Sequence, residues 1–305
     1  MRLVRCAPFA ALILVSVATH ASGAQTLVGR SDSVYTWHGT IPASGRLTLR
    51  NFNGPIDVRP AAGNVAELRA VKQTGRRGGR ITDVAFQVRT SSNGDVSICS
   101  TQNDDDEPCD DGGRHHSRDD WHQPVTVAMT VLVPRGVSLH VATGNGEISV
   151  NRAGSDVHAS TGNGRVSVEA TEGPVQVATG NGQVSVRDAK APVHVSTGNG
   201  DVDVTTANGP VEVSSGNGNI DVRITSLRAK EDMSFGTGSG SVRLTLPANF
   251  SGELDASTGN GTIRSDFDLK VKGRLDPRHV RATIGDGGPM LRMSTGNGEF
   301  EIRKS

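Results

Sequence analysis

The stretch Pro174-Val-Gln-Val-Ala-Thr-Gly-Asn-Gly-Gln-Val-Ser-Val-Arg-Asp-Ala-Lys-Ala191 decides the fold, because the chain starts it again at Pro192-Val-His-Val195. Val175 and Val177 flank Gln176, and Val184 and Val186 flank Ser185. This two-residue period marks two short strands, each with one apolar face. Between them lies Thr179-Gly-Asn-Gly182. The same four residues stand at 143–146, 161–164 and 197–200, and Ser-Gly-Asn-Gly at 215–218, a constant step of 18. Neither strand can bury its valines alone. Stacking the units about 4.8 Å apart, each strand bonded to its counterparts above and below, encloses a valine-rich interior and satisfies the backbone. The repeat therefore predicts an all-β chain: a parallel β-solenoid with about 18 residues and two short strands per coil. Gly and Asn tolerate the backbone of a sharp corner, and Asn145, Asn163, Asn181, Asn199 and Asn217 align to stack as an amide ladder. The rival architecture is a string of antiparallel hairpins, since Asn-Gly is also a hairpin signal.

Outward from the regular coils, 125–227, the pattern loosens. Toward the C-terminus, 228–305 reads as irregular coils with corners at Thr237-Gly-Ser-Gly240, Thr258-Gly-Asn-Gly261 and Thr295-Gly-Asn-Gly298. The last gap leaves room for one degenerate turn around Ile284 to Gly288. Toward the N-terminus, 25–98 reads as alternating strands, and Asn51-Phe-Asn-Gly-Pro-Ile-Asp-Val58 is a degenerate repeat that starts the solenoid early. Tyr35, Trp37 and Phe52 are candidates to cap its end. Between these regions, 99–124 reads as a cysteine-stapled acidic and histidine loop.

Residues 1–24 read as a cleaved signal peptide: Arg2 and Arg5, the apolar run Phe9 to Ala18, then small residues at Ser22 and Ala24. That run is too short to span a bilayer, and no later segment is apolar enough to do so, so no transmembrane span is expected after cleavage. The expected location is outside the cytoplasm: periplasmic, outer-surface or secreted. Cys6 leaves with the peptide. The two remaining cysteines, Cys99 and Cys109, are then expected to form a disulfide, as an even count in an oxidising compartment favours.

The 32 basic and 32 acidic side chains cancel, so there is no general attraction to nucleic acid. Aromatics make up 3% of the chain. Valine-filled coils leave few places for large rings inside, and their scarcity outside leaves few stacking platforms for sugars.

Candidate chemistry is sparse. Asp104, Asp105, Asp106 and Glu107, with His115 and His116, supply oxygen and nitrogen ligands in one segment, so residues 101–122 are a candidate divalent-metal loop; a solvated surface loop is the alternative. Calcium-binding β-rolls need an aspartate in each repeat, whereas the residues two after each second glycine are Ile148, Val166, Val184, Val202 and Ile220. Asp201, Asp203 and Asp221 face outward on adjacent coils, as do Glu147 and Arg165, which are expected to pair weakly. His140, His158 and His194 share an outward column. No pattern for a nucleophilic serine or a paired-acid cleft appears, and nothing in the chain asks for a cofactor.

The exported N-terminus, Tyr35-Thr-Trp-His-Gly39, Asn53-Gly-Pro-Ile-Asp-Val58, Val96-Ser-Ile-Cys99, Val133-Pro-Arg-Gly136, the Gly-Asn-Gly series and Gly288-Pro-Met-Leu-Arg-Met-Ser-Thr-Gly-Asn-Gly298 together resemble the bacterial β-strand-repeat family called putative adhesins, a domain family of unknown function. The resemblance covers nearly the whole mature chain. It implies an envelope or surface β-solenoid and brings no catalytic residues. The expected function is a non-enzymatic, adhesin-like interaction or structural module whose partner, an envelope or surface protein or glycan, the sequence leaves unnamed. The alternatives are a metal-binding envelope protein using residues 101–122 and an enzyme acting on surface glycans.

Overall fold

The computed structural model describes residues 26–75, 78–102, 125–206, 208–226, 231–273 and 276–305. Each regular coil is one strand into a corner and one strand out of it: Val157–Asn163 and Val166–Glu169, then Val175–Asn181 and Val184–Ala189, then Val193–Asn199 and Val202–Thr206. Strands entering corners pair with one another in parallel, as do strands leaving them. The result is two facing sheets, of 14 and 12 strands among the described residues. Val175, Val177, Val184 and Val186 are each at most 1% exposed between them. Burying one such side chain is worth about 1.5–3 kcal/mol, so the coils stand or fall with their inward face. The parallel registers rule out the hairpin alternative.

All four residues of the Thr-Gly-Asn-Gly corner have a structural reason. The threonine points inward, and its hydroxyl donates to the second-glycine carbonyl of the adjacent coil: Thr161 Oγ1 to Gly146 O at 3.1 Å and Thr179 Oγ1 to Gly164 O at 3.3 Å. A Cβ on the first glycine, Gly180, would lie 2.6 Å from Gly162 O. The asparagine side chains run as a chain of amides, Asn163 Nδ2 to Asn145 Oδ1 at 2.8 Å, then Asn181 to Asn163, Asn199 to Asn181 and Asn217 to Asn199 at 2.8–2.9 Å. The second glycine takes a positive φ, +155° at Gly164, and its N–H reaches the next asparagine carbonyl. Ser239 replaces the next asparagine, and the amide chain resumes between Asn260 and Asn297.

The coils do not stack in chain order at either end. The strand Met290–Asn297 pairs with Met233–Ser239 on one side and Gly252–Asn260 on the other, so the last coil in sequence is inserted below the one that precedes it. The segment expected to form a degenerate turn around Ile284 to Gly288 is instead the end of an antiparallel strand, His279–Ile284, lying against Gly252–Asn260 and followed by Leu269–Val271 at the sheet edge. Those residues lack the Thr-Gly-Asn-Gly set that bonds one corner to the next. At the other end, Arg46–Asn53 and Ile56–Pro60 form a coil directly beside Ser138–Asn145 and Ile148–Asn151, with Asn53 in register with Asn145. Val96–Gln102 and Val125–Val133 flank that coil in parallel, and antiparallel strands close the stack: Val84–Thr90 and Thr26–Val28 on one sheet, Val65–Thr74 and Val34–Thr40 on the other.

Tyr35, Trp37 and Phe52 pack against the core, Tyr35 stacking on Phe86 at 4.7 Å. The N-terminal cap is tied by Lys72, 3% exposed. Its ammonium donates to the carbonyls of Gly29, Arg30, Ile81 and Val84 at 2.6–3.1 Å. Burial lowers its pKa, Asp32 opposes this and Arg30 adds to it. Against the expectation of few places for large rings inside, Phe86, Phe235, Phe250, Phe267 and Phe300 are all buried. They sit in the cap and the C-terminal coils, where Phe235 takes the place Val213 holds one coil earlier.

Candidate functional site

The strand period that sends valines inward sends every second residue outward, and parallel stacking aligns these into columns. On the first sheet one column runs Thr48, His140, His158, Gln176, His194, Glu212. The rings of His140 and His158 are 4.5 Å apart and tilted by 35°. His194 Nδ1 lies 2.9 Å from Glu212 Oε2. Beside it runs a second column in which Cys99 and Arg50 are followed by small residues, Ala142, Ser160, Ala178, Ser196 and Ser214. The step between tall and short columns makes a shallow trough of about 250 Å³ lined by Thr48, Arg50, His140, His158, Ser160 and Gln176, with alanines in its floor.

The second sheet carries Ser149, Ser167, Ser185, Asp203, Asp221 and Arg243 in one column. Arg243 bridges two carboxylates, Nη1 to Asp221 Oδ2 at 3.1 Å and Nε to Glu301 Oε2 at 3.0 Å. Glu301 also holds Arg303 Nη2 at 2.6 Å. The Arg303 and Arg243 hydrogen bonds keep the Glu301 carboxyl below the usual carboxylate range, and Glu301 and Asp221 raise Arg243. This is a solvated ion-pair network. Such pairs are individually worth little, and here the charges are already spent on one another.

A wider cleft of about 850 Å³ lies where loop residues Ala61, Gly63 and Asn64 overhang the coil corners at Arg135, Arg152 and Glu172. Glu172 is engaged by Lys190 at 2.6 Å.

Asp201, Asp203 and Asp221 do not converge: Asp201 Oδ1 accepts the Asn219 N–H, and Asp221 is paired with Arg243. No group of three or more His, Cys, Asp or Glu able to hold a metal occurs among the described residues. The expected Glu147–Arg165 pair is not formed; both side chains lie in solvent at the corner, where water competes with the pair. Asp104, Asp105, Asp106, Glu107, His115, His116 and Cys109 lie outside the described residues, as do residues 1–24. Cys99 is buried on the strand Val96–Gln102. Sequence reasoning missed Arg50. It stands three residues before Asn53, as Ala142 stands three before Asn145, so aligning the degenerate repeat on its asparagine would have placed it beside the histidines.

Stacked two-strand coils presenting in-register polar columns define a repeat-built all-β scaffold. The family model of Toastrack DUF4097 matches residues 123–303, and the chain belongs to that family. Similar solved structures include a putative adhesin from Bacteroides fragilis NCTC 9343, at 12% identity over 90% of this chain and 98% of that one with a TM-score of 0.36. Another is a putative cell adhesion protein from Clostridium sporogenes ATCC 15579, at 10% identity over 89% of this chain and 100% of that one with a TM-score of 0.25. No curated protein matches the chain. Among the described residues, no helix is long and apolar enough to cross a membrane.

Proposed function

We propose that the chain is an exported, non-enzymatic display module of the cell envelope or surface, whose solenoid holds polar columns in fixed register for a protein or glycan partner. The observation that carries this reading is the pair of regular outer faces. Side chains there repeat at the strand spacing over many coils, and some of their charges pair laterally, as between His194 and Glu212 or around Arg243. A repeating surface suits an extended or multivalent partner. Export rests on the N-terminal pattern, and a Cys99–Cys109 disulfide belongs to the same reading.

Fractionation of cells carrying the tagged full chain, with mass spectrometry of its N-terminus, tests export. A mature protein beginning near Gln25, outside the cytoplasm and with no free thiol under denaturing, non-reducing conditions, is the expected result. Cross-linking in the intact envelope then tests display: adducts should form through outward positions such as Ser185 and not through Val184. A cytoplasmic, uncleaved chain sinks the reading.

A further inference from the structure

We propose that Asn260 is a site of covalent modification: the pair Asn260-Gly261 closes to a succinimide and opens to aspartate or its β-linked isomer, altering the last layer of the stack and sparing the regular coils. The proposal is independent of the display reading.

The chain holds ten Asn-Gly pairs. Glycine has no side chain to shield its own nitrogen, so in each pair that nitrogen can approach the side-chain carbon of the preceding asparagine. In eight of the ten the glycine N–H donates to a backbone carbonyl, as Gly164 does to Asn181 O and Gly298 to Asn260 O, both at 2.9 Å. Each such nitrogen must give up its bond before it can attack. Gly261 ends the series. The neighbouring strand His279–Ile284 pairs with Gly252 to Ser257 and stops short of the corner, so no further asparagine carbonyl stands beyond Gly261, and its N–H has no acceptor among the described residues. Asn260 and Gly261 are both exposed, so water reaches the pair. The other pair whose glycine N–H lacks such an acceptor, Asn208-Gly209, differs in its surroundings. Gly209 is buried, and Thr206 Oγ1 donates to Asn208 O at 2.8 Å, which shields the nitrogen from base.

The step needs water and no oxidant or reductant. A base takes the Gly261 N–H proton, the nitrogen's electron pair forms a bond to Asn260 Cγ, and the Cγ–Nδ2 bond breaks as Nδ2 takes up a proton and leaves as ammonia. Water then opens the ring. Attack at Cγ restores the ordinary peptide bond with aspartate at 260, and attack at the main-chain carbonyl routes the backbone through Cβ and Cγ. Either product loses the donor that reaches Asn297 Oδ1 at 2.8 Å, because a carboxylate only accepts. The β-linked product also cuts the Asn260 carbonyl, the acceptor for the Gly298 N–H, out of the main chain. Both bonds tie Gly252–Asn260 to Met290–Asn297, so the change loosens the layer that covers that strand. Asn163, Asn181 and Asn199 keep their bonded glycines and their amide contacts.

The test is peptide mapping by mass spectrometry of the full chain aged in mildly alkaline buffer, once folded and once in urea. In the folded chain aspartate and its isomer accumulate first at 260, about fivefold or more ahead of Asn163 and Asn181, the ratio that one retained hydrogen bond gives. In urea the ten pairs react at comparable rates, since only the fold separates them. Asn260→Gln keeps an amide donor but is one methylene too long for the five-membered ring. It abolishes the modification, and after ageing it resists protease around residue 260 where the wild type is cut. Earlier conversion at Asn208 or at any coil asparagine of the folded chain overturns the proposal, as does Asn260 persisting in the folded chain while the urea sample converts. Equal cutting of the aged wild type and aged Asn260→Gln overturns the loosening of the last layer.

Discussion

Gly180→Ala tests whether the corner glycines are required by contact between coils. A Cβ at Gly180 lies 2.6 Å from the Gly162 carbonyl oxygen, where ordinary contact begins at 3.4 Å, a shortfall of about 0.8 Å. The opposing atom belongs to backbone, so no rotamer change can make room. The adjacent coils must separate locally, and three bonds at this corner loosen: Gly164 N to Asn181 O at 2.9 Å, Thr179 Oγ1 to Gly164 O at 3.3 Å and Asn181 Nδ2 to Asn163 Oδ1 at 2.9 Å. Overpacking costs about 1–3 kcal/mol, and each weakened bond adds up to about 1 kcal/mol. Alanine also stiffens the unfolded chain, returning about 0.4–1 kcal/mol. The expected loss is about 2–4 kcal/mol. Gly63→Ala is the matched control, because a Cβ there meets nothing within 4 Å; it carries the same unfolded-state gain without the clash. Urea unfolding of both variants isolates the difference, and a gap below about 0.5 kcal/mol would refute the close-approach argument.

Val184→Asp, at a position 0% exposed, should cost about 4 kcal/mol or more by burying an unpaired charge. Ser185→Asp, outward and opposite Asp203, should cost under about 1 kcal/mol; equal tolerance in thermal melts would overturn the assigned faces. Lys72→Met should remove about 2–4 kcal/mol, since four carbonyls lose their donor, and should open the chain around Gly29 to limited proteolysis ahead of the coils. The carboxyls of Glu253 and Glu301 are held low mainly by hydrogen bonds from Lys272 and Arg303. Their contribution is complete above the ordinary carboxylate pKa and is lost as pH falls through the depressed folded values. Arg303→Gln should therefore flatten the acid limb of a stability-against-pH curve by slightly lowering the neutral plateau while leaving the acid end in place.

The regular coils were legible because a strict period ties a local pattern to a global one. Once Val175, Val177, Val184 and Val186 share an interior, the step of 18 fixes which residue lies over which, and the column from His140 to Glu212 follows by counting. What the count could not give was stacking order. Nothing local distinguishes a coil laid on the one before it from a coil slipped in later, because Thr258-Gly-Asn-Gly261 and Thr295-Gly-Asn-Gly298 carry the same corner chemistry. The buried phenylalanines were missed for a related reason. Their room comes from neighbours far apart in sequence, Phe235 lying beside Met293 and Phe300 beside Val242.

The out-of-order coils answer a difficulty that the repeat itself creates. A solenoid built only of identical coils ends in two strands with unpaired backbone, each a template for another chain. Here the chain leaves the stack before its last coil, lays down Gly252–Asn260, Leu269–Val271 and His279–Ile284 as the terminal layer, and returns to fill the place left open with Met290–Asn297. On the first sheet the terminal strands His279–Ile284 and Leu269–Val271 run antiparallel to their neighbours, so they cannot continue the parallel corner pattern; the second sheet ends in a parallel strand, Ile263–Ser265, and both edge strands are only three residues long. The N-terminal end does the same with Val84–Thr90 and Val65–Thr74. The central coils then present only their faces to solvent, which is where the histidine column, Arg50 and the ion-pair network stand, so a partner of this module meets side chains and not a sheet edge.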